Sequence, residues 1–125
     1  MKTIREILKT IKMQAVDLTG SALDYAVAVC EGKRLSGASL AYQIQEHGTV
    51  TNGFKRYSPS TDWEIGGPVI EKEHIAVQRW TDGSWRAYIR LQEEMVGHTP
   101  LEAAMRCHVA SKFQNGIDIP EELLK

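Results

Sequence analysis

Ile75-Ala76-Val77-Gln78-Arg79-Trp80-Thr81-Asp82-Gly83-Ser84-Trp85-Arg86-Ala87-Tyr88-Ile89-Arg90-Leu91, and then Thr99-Pro100-Leu101-Glu102-Ala103-Ala104-Met105-Arg106-Cys107-His108-Val109, switch from the apolar period of a strand to that of a helix. In the first stretch Ile75 and Val77 lead to Trp80, and Asp82-Gly83 supplies a tight turn. Trp85, Ala87, Ile89 and Leu91 return on one face, with Arg86, Tyr88 and Arg90 on the other. In the second stretch Thr99 is placed to cap a helix, Pro100 takes its first position, and Glu102 closes a capping box. Leu101, Ala104, Met105, His108 and Val109 form its buried stripe, and Asn115-Gly116 ends it. A hairpin followed by a one-faced helix predicts an α+β chain, with a small antiparallel sheet covered by helices.

Working outward, a helix is expected from Gly20 to Cys30, capped by Thr19 or Ser21 and stopped by Gly32, with Asp24 favouring its dipole. Residues 33–56 alternate as extended structure, and Asn52-Gly53 signals a short hairpin. Ser60 or Thr61 opens a further helical segment, with Glu64 placed for a capping box. Gly66-Gly67-Pro68 interrupts that segment, and Pro68 suits the first turn of a restarted helix. At the N-terminus Ile4, Ile7, Leu8 and Ile11 share one face, which predicts an amphipathic helix over residues 1–12 flanked by Lys2, Arg5, Lys9 and Lys12. Such a helix can pack on its own domain or dock on a partner. Residues 117–125 are expected to add an edge strand and a helical turn. The 125 residues suit one domain.

Composition removes several function classes. Fifteen basic residues against sixteen acidic ones leave a formal charge of −1. The basic surplus that phosphate binding requires is therefore missing, which argues against nucleic acid as a partner. No apolar run is long enough for a membrane span, and no secretory signal is expected, so a cytoplasmic location follows. Cys30 and Cys107 sit among alanines and valines, as reduced buried thiols do. A homo-oligomer is left open.

The densest concentration of candidate chemistry is Tyr57-Ser58-Pro59-Ser60-Thr61-Asp62-Trp63. Tyr57 and Trp63 could stack a flat ligand. Ser58, Ser60 and Thr61 could shape turns or bind a ligand beside free N–H groups at a helix start. Asp62 is the motif's only carboxylate, and helix capping is favoured for it over general-base or metal chemistry. Arg106 could meet an anion or stand as solvated charge. No serine elbow is present, and His47, His74, His98 and His108 do not repeat at zinc-site spacing, so no catalytic residue, metal or cofactor is expected.

Three segments together resemble the NinX-like proteins of tailed phages and prophages. They are Leu18 to Ala28 with Cys30-Glu31-Gly32, Tyr57 to Trp63 with Gly66-Gly67-Pro68-Val69-Ile70-Glu71, and Thr99 to Cys107 through Ala110-Ser111-Lys112. The resemblance covers roughly residues 16–123 and implies an α-β-α sandwich with no assigned activity. Residues 1–12 are extra to that pattern, and the stretch between Gly32 and Tyr57 is longer than usual. The expected function is a non-enzymatic phage accessory protein. Tyr57, Ser58, Ser60, Thr61, Asp62, Trp63 and Arg106 would bind a small, nucleotide-like molecule or a host protein. Two alternatives stand beside it. One is a protein–protein module using residues 1–12 and the Trp80–Trp85 hairpin. The other is a metal-dependent phosphoesterase or nucleotide hydrolase in which Asp62 and Glu64 share an ion.

Overall fold

The computed structural model describes residues 9–32, 51–52, 55–90 and 94–124. Its elements are β1 (Thr10–Met13), α1 (Gly20–Cys30), β2 (Thr51–Asn52), β3 (Lys55–Arg56), α2 (Trp63–Lys72), β4 (Ala76–Arg79), β5 (Trp85–Tyr88), β6 (Met95–Gly97), α3 (Pro100–Lys112) and β7 (Ile117–Pro120). Single 3-10 turns follow β1 at Ala15–Asp17 and β7 at Glu121–Leu124. The class is α+β, as the sequence predicts.

The element that organises the rest is α3. Its cap is as expected: Thr99 accepts from the Glu102 N–H at 3.0 Å, and Pro100 stands at the first position. The Glu102 carboxylate reaches back one residue further than a capping box requires and accepts from the His98 N–H at 2.9 Å. Leu101, Ala103, Ala104, Met105, Cys107, His108 and Val109 are buried, which is more than one stripe. The reason is that α3 touches the three-stranded sheet, α1 and α2 at once. Alanines Ala22, Ala26 and Ala28 on α1 and Ala103 and Ala104 on α3 are all buried. Small side chains let helix axes approach toward the short end, about 8 Å, of the usual range.

The sheet has the order β4-β5-β6 and is antiparallel throughout. The hairpin is in the expected place, with Arg79 opposite Trp85 and Ala76 opposite Tyr88. Its turn is held by Asp82, whose carboxylate accepts both the Ser84 N–H and hydroxyl, and Gly83 takes a left-handed φ of +88°. The third strand, β6, has only three residues and was not foreseen. Gly97 lets it approach α3, since a Cβ there would lie on the Ala103 backbone.

Two expectations require correction. The helix predicted over 1–12 does not extend through residues 10–12. Those residues belong to β1, which pairs antiparallel with β7 from Thr10↔Pro120 to Met13↔Ile117, with Lys12 facing Asp118. Cross-strand pairing with Ile117 and Ile119, both buried, outweighs a local helical pattern. Residues 1–8 lie outside the described residues. The expected interruption at Gly66-Gly67-Pro68 is also not a break. The helix α2 runs through it from Trp63 to Lys72 with Pro68 inside. Pro68 and Glu64 are both on the exposed side, where water can replace the missing backbone bond to the Glu64 carbonyl.

The predicted edge strand and helical turn after Ile117 are present as β7 and Glu121–Leu124. Most of the extended stretch 33–56 lies outside the described residues. Its hairpin is described at its two ends, where Asn52 pairs with Lys55.

Candidate functional site

The central segment divides in two. Tyr57, Ser58, Pro59 and Ser60 are buried. The Ser60 N–H donates to Asp24 of α1 at 2.9 Å, so Asp24 serves the loop from the second turn of a buried helix. The Thr61 and Asp62 N–H groups both turn back to the Ser58 carbonyl, at 3.2 and 2.9 Å. Gly66 closes the packing from the other side, because a Cβ there would strike the Pro59 carbonyl and come within 2.7 Å of Leu101 Cδ2. The Tyr57 phenol is pushed up to about 12 by burial, reinforced by the charges of Glu31, Asp24 and Cys30.

The outer half faces solvent. Thr61 is exposed, and Asp62 accepts from the Glu64 N–H at 3.0 Å as the N-cap of α2. Trp63 is 56% exposed, on the same helix face as Gly67 one turn later. Arg106 is not part of this constellation. It donates from Nε to the Leu18 carbonyl at 2.7 Å and from Nη1 to the Val96 carbonyl at 2.8 Å, with Glu102 beside it at 3.5 Å. It therefore ties the entry to α1, strand β6 and α3 together.

A second constellation forms where α1 and α2 end beside the middle of α3. His108 is wholly buried, with Nε2 3.2 Å from Glu31 and Nδ1 3.5 Å from Glu73. Nδ1 has no hydrogen-bond partner. Lys72 pairs with Glu31 at 2.5 Å, and Lys112 lies 3.6 Å from Glu73. Burial alone would raise the Glu31 pKa, but the Lys72 bond and charge, aided by His108, hold it below the usual carboxylate range. Burial pulls the His108 pKa down against the attraction of Glu31 and Glu73. The Cys30 thiol next door is pushed up to about 12, mainly by burial and then by Glu31. Sequence spacing could not reveal this cluster, since Glu31 and His108 are 77 positions apart. Asp62 and Glu64 do not belong to it. Among the described residues, Glu31, Glu73 and His108 are the group whose donor atoms converge.

A groove of about 700 Å³ opens elsewhere, lined by Gln14, Ala15, Val16, Arg86, Met95 and Phe113 among others. Arg86 lies 3.1 Å from Glu94 and stacks over Trp80 at 4.7 Å, while its buried Nε lacks a hydrogen-bond partner.

The three segments that meet around Asp24, Ser60 and α3 are the same three that the sequence set apart. Residues 14–112 match the family model described as Bacteriophage P22, NinX. The chain belongs to the NinX family. Membership makes it a phage accessory protein. No curated protein matches the chain. The family match takes in α1, the central segment and α3, but β7, the partner of β1, lies beyond it. No helix among the described residues is long and apolar enough to cross a membrane.

Proposed function

We propose that this phage accessory protein acts in the bacterial cytoplasm by binding rather than catalysis, and that it engages a host protein through Thr61, Asp62 and Trp63. The single observation behind this reading is a tryptophan 56% exposed three positions after four consecutive buried residues. A large aromatic held out by an anchored loop loses little freedom on docking, and such residues dominate binding energy at interfaces. Exposed Glu64, Pro68 and Glu71 extend the surface along α2. A small-ligand role for the same segment has less support, because Tyr57, Ser58 and Ser60 are taken up by packing.

The test is co-purification from host cells with the wild type and with Trp63→Ala. Loss of a reproducible partner in the variant, with an unchanged unfolding midpoint, is the expected result. Recovery of the same partner at the same yield sinks the proposal.

A second reading places a small anionic or amphipathic molecule in the groove beside Arg86, favoured by its buried and unbonded Nε. Titration with nucleotides, followed by the fluorescence of Trp80 and Trp85, would respond in the wild type and not in Arg86→Gln. A flat response in both would remove it.

A further inference from the structure

The buried cluster at the meeting point of the three helices has a feature that pairing among its own side chains does not satisfy. A neutral imidazole carries one N–H and one lone pair. In His108 both ring nitrogens face carboxylate oxygens, Nε2 toward Glu31 at 3.2 Å and Nδ1 toward Glu73 at 3.5 Å. If Nε2–H donates to Glu31, the Nδ1 lone pair points at another acceptor, and Nδ1 is the atom left buried without a hydrogen bond. A positive charge between Nδ1 and Glu73 resolves this conflict. We infer that His108 Nδ1 and Glu73, with Glu31 holding the imidazole from Nε2, form a binding site for one divalent transition-metal ion.

The geometry suits such an ion. One donor atom from each of the three residues lies within 4.8 Å of the other two. Metal–nitrogen and metal–oxygen bonds of about 2.0–2.2 Å place tetrahedral donors roughly 3.3–3.6 Å apart. The Nδ1–Glu73 separation of 3.5 Å already falls there. An imidazole nitrogen beside a carboxylate fits zinc, manganese or ferrous iron better than calcium, which takes oxygen donors only. The Nε2 contact with Glu31 fixes the ring, as a carboxylate behind a metal-bound histidine commonly does.

Lys72 and Lys112 currently neutralise the two glutamates. Their side chains are 58% and 50% exposed, so both can swing into solvent as the ion enters. Lys112 competes with the metal at Glu73 rather than excludes it.

The experiment uses the full chain stripped of metal and titrated with Zn2+ against a chromophoric chelator. One equivalent should bind, and the unfolding midpoint should rise with it. Glu73→Gln and Glu31→Gln should each weaken binding by about tenfold or more, with the metal-free midpoint little changed in Glu73→Gln and lowered at neutral pH in Glu31→Gln, whose carboxylate also holds Lys72. Long-range proton–nitrogen spectra should show His108 Nδ1 shifting on addition of Zn2+. Lys112→Met, which leaves His108, Glu73 and Glu31 in place, should tighten binding severalfold and decides the matter if the glutamine variants do not fold. The inference is overturned by absence of saturable binding at about 0.1 mM Zn2+. It is equally overturned by unchanged affinity in both glutamine variants, by unchanged or weaker affinity in Lys112→Met, or by a His108 protonated on both nitrogens at neutral pH with Zn2+ present.

Discussion

Asp24 and Gly66 fix the central segment from opposite sides, and each makes a definite prediction. Asp24 is 2% exposed and accepts from the Ser60 N–H, so Asp24→Ala leaves that donor buried without its acceptor. The expected loss is about 1–3 kcal/mol of stability, read from urea unfolding. Gly66→Ala places a methyl group on the Pro59 carbonyl, which is backbone and cannot rotate aside as a side chain would. Overpacking of this kind costs about 1–3 kcal/mol, and an unchanged urea midpoint would show that the packing is looser than described. Trp63 contrasts with both. It is exposed, so Trp63→Ala should change stability by less than about 0.5 kcal/mol. That difference separates the residues that build the loop from the residue the loop presents.

At the scale of elements, α3 depends on its N-terminus. Thr99→Ala removes the cap accepted from Glu102 and should cost about 1 kcal/mol. Glu102 is more consequential, since it accepts from the His98 N–H and the Thr19 hydroxyl and lies beside Arg106. Burial would raise its pKa, but these contacts outweigh burial and hold the carboxyl below its ordinary 4.5. A carboxyl depressed in the folded state adds stability that is fully present above the unfolded value. That stability is lost as pH falls through the lower folded value. Glu102→Gln should therefore lower the unfolding temperature at pH 7, and the gap from wild type should close as the pH drops below about 4. A gap independent of pH would mean that the carboxylate charge is irrelevant to the cap. In α2 the lesson is different. Gly66-Gly67-Pro68 looks like an interruption by propensity, but Asp62 caps the helix and Gly66 seats it against Pro59, so packing carries the helix through.

For the molecule as a whole, the two cysteines report on integrity. Burial pushes the Cys107 thiol up to about 11 and, chiefly, the Cys30 thiol up to about 12. Both should resist alkylation in the native state at pH 8 and react together when the protein is unfolded in urea. Fast native labelling of Cys30 alone would show that the end of α1 opens independently. The α+β class, the Trp80–Trp85 hairpin, the span of α1, the capped start of α3 and the family resemblance were legible in the sequence by itself. Each rests on short-range signals: turn residues, caps and one apolar period. The preference for Asp62 as a cap was equally local, and the structure places it there. Tertiary structure alone decided the rest. It made residues 10–13 a strand by pairing them with β7, more than a hundred positions away in Ile117↔Met13. It turned Asp24 from a dipole partner into an anchor for Ser60, drew Arg106 onto two backbone carbonyls, and exposed Trp63 while burying Tyr57 to Ser60. It also gathered Glu31 and Glu73 from the C-terminal caps of α1 and α2 beside His108 of α3. Local propensity is set by neighbours in the chain, whereas pairing, burial and convergent side chains depend on contacts between distant segments that no single stretch encodes.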